Sequence, residues 1–219
     1  MFMKSITGAF ATLALTALMM PLTGAQAQTA YVAPTGGNVY ASDFFDMTVT
    51  LPSNWTLSSK AEADNIMSVG GEELAGDNAE LKEMTDLVRQ KSLTIMFAFE
   101  DPAKTGKNST GNLSMVAENV SEYPASLGPE DAIANMRALA DVSATDVTYG
   151  DMITTRLIDG QPFSSVESTV VMEGVEINQI YLIARKGDHL ITIIQTHLSE
   201  ETKFLLDGII SNIKLDWTP

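Results

Sequence analysis

The chain has 219 residues with 13 basic and 28 acidic side chains, a net charge of −15 and no cysteine. A surface this acidic repels nucleic acid and anionic membranes, because it would hold phosphates against its own field. The missing cysteine excludes a thiol nucleophile, a thiolate metal site and a lipidated N-terminal cysteine, and it leaves the fold to be held by its core without disulfides.

Residues 1–27 read as a secretory signal peptide. Lys4 supplies the positive start, Ile6 to Leu22 is apolar or small, and Ala25-Gln26-Ala27 is an A-x-A cleavage pattern. The competing reading, a retained anchor, would need this stretch of about 17 residues to span a bilayer at the short limit of length. Residues 28–38 are small, polar and turn-rich, a flexible leader. One domain is expected over 39–219, with a periplasmic or secreted location after cleavage near Ala27.

Phe45, Met47, Val49 and Leu51 alternate with polar residues, which predicts a half-buried strand stopped by Pro52. Trp55 follows in a turn and is expected to cap the end of the core. Asp77 with Glu80 is a D-x-x-E start, and Leu81, Met84, Leu87 and Val88 fall on one face of a helix over 78–90. Leu93, Ile95, Phe97 and Phe99 then form a strand. An exposed loop over 101–111 and a further extended stretch over 113–120 follow. Gly128-Pro129-Glu130-Asp131 starts a helix that runs to Leu139 or Ala140, with acids at the positive end of its dipole.

The second half reads as an antiparallel meander. Asp159-Gly160, Glu173-Gly174 and Lys186-Gly187-Asp188 are tight-turn signals. They separate β-branched runs over 153–158, 165–172, 175–184 and 190–196. The last two runs are apolar on both parities, so both of their faces are covered. Ser199 caps a closing helix over 200–213, with Leu205, Ile209 and Ile213 every four residues and Leu206 and Ile210 beside them along its apolar face. The fold class predicted is α+β, a mainly antiparallel sheet covered by helices on both faces.

No catalytic constellation emerges. G-x-S-x-G is absent. His189 and His197, the two histidines, are eight residues apart, about 26 Å along a strand, and share no metal at that distance. They read as a turn histidine and a strand-end histidine. The acids Glu72, Glu73, Asp77, Glu80, Glu83 and Asp86 fit no EF-hand pattern and read as a solvated helix face, with a weak divalent-cation surface as the alternative. Gly70-Gly71 leads into acids, which defeats a phosphate cradle. Met84, Met96 and Met115 read as core filler. Asn54-Trp55-Thr56 and Asn108-Ser109-Thr110 are glycosylation sequons only if the host modifies asparagine.

Phe45 to Trp55 (an apolar strand, then Leu-Pro-x-x-Trp), Gln161 to Glu167 after the Asp159-Gly160 turn, and Ile180 through Ile213 together resemble the PsbP-like and DcrB-like proteins. Those proteins share an α/β/α sandwich with the Ran-binding protein Mog. The resemblance implies a mostly non-enzymatic binding and assembly family, with some relatives assisting photosystem assembly, and it carries no catalytic residues over. The lipobox cysteine of many exported relatives is missing here. The expectation is a binding or assembly module with no cofactor and no metal. Its partner, another cell-envelope protein, would be met by a sheet edge, a helical groove or the acidic face. The other reading is a small-ligand carrier or low-turnover enzyme with a pocket between sheet and helix.

Overall fold

The computed structural model describes residues 38–106, 110–172 and 174–217. The segment 1–27 expected to be a signal peptide, leader residues 28–37, Asn108, Ser109 and Glu173 lie outside the described residues. In chain order the elements are β1 (Val39–Ser42), β2 (Met47–Thr50), β3 (Trp55–Leu57), α1 (Lys60–Ala75), α2 (Ala79–Lys91), β4 (Ser92–Glu100) and α3 (Pro102–Thr105). Next come β5 (Gly111–Asn119), α4 (Pro129–Ala140), β6 (Asp146–Tyr149), β7 (Thr154–Ile158) and β8 (Gln161–Met172). The chain closes with β9 (Val175–Lys186), β10 (His189–His197), α5 (Glu200–Ser211) and β11 (Lys214–Leu215).

The main sheet is antiparallel, in the order β3-β4-β5-β10-β9-β8-β6, with β7 also paired to β8. Its hinge between the two halves of the sequence is the β5–β10 ladder, which runs from His189↔Asn119 to His197↔Gly111. The meander predicted from the turn signals is β7 to β10. Asp159 and Gly160 both take left-handed backbone, with φ of 46° and 83°, as a two-residue hairpin turn demands.

Both faces of the central strands are buried, as their unbroken apolar runs require. Ile191 and Ile193 of β10 point into one core with Leu206, Ile209 and Ile210 of α5. Leu190 and Ile194 point into the other with Ala132, Ile133 and Met136 of α4. Leu74, Ala75, Leu81 and Val88 form a third cluster that ties α1 to α2. The α+β class with helices on both faces is therefore observed. The cover over the α5 face is shared with a second, three-stranded sheet, β1-β2-β11, whose Tyr40, Met47, Val49 and Leu215 belong to the same core. The strand read at 45–51 is thus β2, laid over the main sheet rather than within it.

Several boundaries differ from the sequence reading for identifiable reasons. The cap of α2 is Asn78, not Asp77, since its Oδ1 accepts from the N–H groups of Glu80 and Leu81 at 3.1 Å each. Leu87 and Leu205, assigned to apolar helix faces, are exposed. The stripe of α5 that seats on the sheet is Thr202, Leu206, Ile209 and Ile210. The helix α1 has no counterpart in the sequence reading. Its buried positions are Ala63, Gly70, Leu74 and Ala75, and one leucine among residues this small leaves no apolar period. Its start is nonetheless a full capping box between Ser59 and Glu62.

Candidate functional site

Two surfaces have the chemistry to receive something. The first is a cleft of about 380 Å³ between the α1–α2 hairpin and the sheet. On the α1 side its lining includes Lys60, Asp64, Met67, Ser68 and Gly71, with one large apolar side chain among them. Met67, Val88 and Val116 supply apolar lining. Lys60 pairs with Asp64. Arg89 donates from Nη2 to Asp86 at 2.8 Å and from Nη1 to Ser68 Oγ at 2.6 Å. The Ser92 hydroxyl is buried with no hydrogen-bond partner. A Cβ at Gly71 would meet only Thr85, at ordinary contact distances of 3.7 and 3.9 Å. Glycine inside a helix costs about 0.5–1 kcal/mol relative to alanine, so this position gives up stability for room.

The second surface is the outer edge of β7. Counting from the Asp159-Gly160 turn, Ile158↔Gln161 is a hydrogen-bonded pair, and so are Arg156↔Phe163 and Thr154↔Ser165. Thr155 and Leu157 alternate with them, so their backbone N–H and C=O groups point away from β8. Pro162, opposite Leu157, forfeits no bond to β7. Only β8 pairs with β7 among the described residues. Two large apolar side chains stand beside this open edge with the exposed Thr154 and Thr155, Leu157 67% exposed and Met152 77% exposed. Arg156, the one charge in β7, is drawn over the sheet face to Asp207, Nη1 to Oδ1 at 2.7 Å. An edge strand usually carries a charge, a proline or a cover against pairing, and the outer face of β7 shows none of these among the described residues. The chain just before it is fixed, since Arg137 donates to the carbonyls of Gly150 and Asp151.

The residues singled out in the sequence fall as follows. Trp55 is buried at the end of the main core. His189 and His197 are the two ends of β10 and point to the same face as Ile191 and Ile193. His189 meets Phe44 and Phe45 edge-on, at 5.5 and 5.8 Å between ring centres. His197 is 5% exposed and its Nδ1 has no partner. Burial lowers the pKa of both imidazoles; Lys203 lowers that of His197 further. The six acids do not share one helix face. Glu72 and Glu73 end α1, Asp77 sits in the turn, and Glu80, Glu83 and Asp86 ride on α2. Glu72 and Asp86 line the cleft. Met96 and Met115 are core residues, and Met84 packs against the α1–α2 cluster.

Sequence reasoning missed Asp207 and the polar seam around it. Burial would raise its carboxyl pKa, but hydrogen bonds from Gln195 and Arg156 and the charges of Arg156 and Lys203 hold it below the ordinary range. It also missed the chain of Tyr181, Gln179 and Thr196 under α4, in which the tyrosine hydroxyl donates to Gln179 Oε1 at 2.9 Å. Burial pushes Tyr149, beside Tyr181, up to about 12. Residues from different strands meet in these networks, so no local motif announces them.

No family model matches this chain, and no curated protein matches it. Solved structures do. A cyanobacterial PsbP from Synechocystis sp. PCC 6803 is 14% identical, with 88% of this chain and 99% of that one covered and a TM-score of 0.49. LpqN, a Mycobacterium tuberculosis protein involved in cell envelope biogenesis, is 10% identical, with 79% and 83% covered and a TM-score of 0.42. A Bacteroides thetaiotaomicron structure is 14% identical, with 82% of this chain covered and a TM-score of 0.45. This chain spans only 48% of that protein's length. A PsbP protein thus stands among the similar structures, as the sequence resemblance implied. No helix among the described residues is long and apolar enough to cross a membrane.

Proposed function

We propose that this chain is an exported, non-catalytic docking module of the cell envelope, and that it receives an extended segment of a partner protein along the outer edge of β7. The observation that carries the reading is the open backbone at Thr155 and Leu157, flanked by the exposed Met152 and Leu157 side chains. A strand added there would gain main-chain hydrogen bonds from the outward groups and apolar contact from the alternate side chains. The net charge of −15 favours a partner segment with basic residues and speeds its encounter. Export is supported by the Ala25-Gln26-Ala27 site after an apolar run. The non-catalytic reading is supported by the placement of both histidines at opposite ends of one strand, with His197 buried.

The test is amide hydrogen exchange on the protein alone and in the complex isolated from its host. Protection that rises at Thr155 and Leu157, with no change in β9 and β10, supports strand addition. Unchanged exchange at these two amides in a stoichiometric complex removes β7 as the docking edge.

A further inference from the structure

We propose that the cleft under the α1–α2 hairpin is a binding site for a small zwitterion with an apolar body, an α-amino acid such as leucine. A cavity of about 380 Å³ lies within the range of small-ligand pockets and suits a compact guest. Its charges are not balanced internally. Lys60 is neutralised by Asp64, and Arg89 leans on Asp86, while the carboxylate of Glu72 has no ion pair among the described residues. Glu72 lies one helical turn beyond Ser68, which accepts from the Arg89 guanidinium, so a carboxylate without an ion pair among the described residues and a guanidinium line the same cleft. A molecule with an ammonium and a carboxylate has a group for each of them. Met67, Val88 and Val116 of the same lining offer an apolar bed for its side chain. The buried Ser92 hydroxyl, also in the lining, supplies a further polar contact.

Gly71 is the second, independent observation. It faces this cleft in mid-helix, where an alanine would fit beside Thr85 and favour the helix. A residue that breaks the local rule without a packing reason marks a place where space is used. Gly71→Leu fills that space while improving helix propensity, so it separates binding from folding.

The experiment is a titration of the isotope-labelled mature protein with leucine up to about 10 mM, a range that captures weak binding. It is repeated with leucinamide, which lacks the carboxylate, and with 4-methylpentanoate, which lacks the ammonium. The inference expects saturable shifts at amides around Gly71, Arg89 and Ser92. Loss of one charged contact, by either analogue or by Glu72→Gln or Arg89→Gln, is expected to weaken binding about tenfold or more. Gly71→Leu is expected to abolish the shifts with an equal or higher melting temperature. No saturable shift with leucine overturns the proposal. So does equal binding of either analogue, or binding that survives in a folded Gly71→Leu protein.

Discussion

Replacing Gly111 with alanine measures how closely α5 is seated on the sheet. Gly111 opens β5 opposite His197, under the first turn of α5. A Cβ there would stand 2.4 Å from Thr202 Cγ2, 2.6 Å from the carbonyl oxygen of Thr196 and 3.5 Å from Leu206 Cδ1. The first two distances are far inside contact. Thr202 cannot swing aside freely, because its hydroxyl lies 2.7 Å from that of Thr110 and 3.0 Å from that of Ser199. The Thr196 oxygen is backbone in a central strand. Relief therefore requires α5 to lift or β10 to shift, and overpacking of this kind costs about 1–3 kcal/mol. For a chain of this size that is a melting temperature lower by roughly 2–12 °C. The assay is thermal unfolding of wild type, Gly111→Ala, Thr202→Ser and the double variant. Serine removes the clashing methyl and keeps the hydroxyl. The double variant should be less destabilised than the sum of the singles by about 0.5 kcal/mol or more, the coupling expected of groups in contact. Strict additivity, or a Gly111→Ala protein as stable as wild type, would refute the close seating of α5.

Three further outcomes follow from the same structure. Trp55→Ala should cost about 3–5 kcal/mol, because the ring is wholly inside the main core; an unchanged melting temperature would mean a surface ring. Stability should fall as pH is lowered from 7.5 to 5. The folded pKa of His189 and of His197 lies below the unfolded value of 6.5, so the stability they confer is complete above that value and is lost as pH falls toward the folded one. Unfolding midpoints across that window should flatten in a His189→Gln/His197→Gln protein, and a wild type already flat there would contradict the burial of the two rings. Treatment with a chelator should leave the melt unchanged; a drop of many degrees would reveal a structural metal and overturn the metal-free reading.

The sequence showed the meander and its covered strands plainly, because turn residues and apolar runs are local signals. Asp159-Gly160 was legible as a hairpin because two consecutive left-handed residues leave little choice of residue type. By contrast α1 was hidden, since a helix that buries only Ala63, Gly70, Leu74 and Ala75 leaves no hydrophobic stripe. With α1 unseen, the cleft was unseen too, and the acids of 72–86 looked like one helix face instead of two helices and a turn. The exposed edge of β7 was equally out of reach. Leu157 and Met152 look like core residues in a run of Met, Ile and Leu. Only the sheet order, which leaves β7 with one neighbour among the described residues, turns them outward.

The docking claim is tested most directly by photo-cross-linking from position 152 in the native host, with and without Thr155→Pro. Proline at 155 deletes an amide that points away from β8, so the β7–β8 ladder and the fold are kept. The account predicts a discrete adduct with another polypeptide in the wild-type background and its loss in the Thr155→Pro protein at an unchanged melting temperature. An adduct that survives Thr155→Pro, or no adduct in either protein, would contradict it.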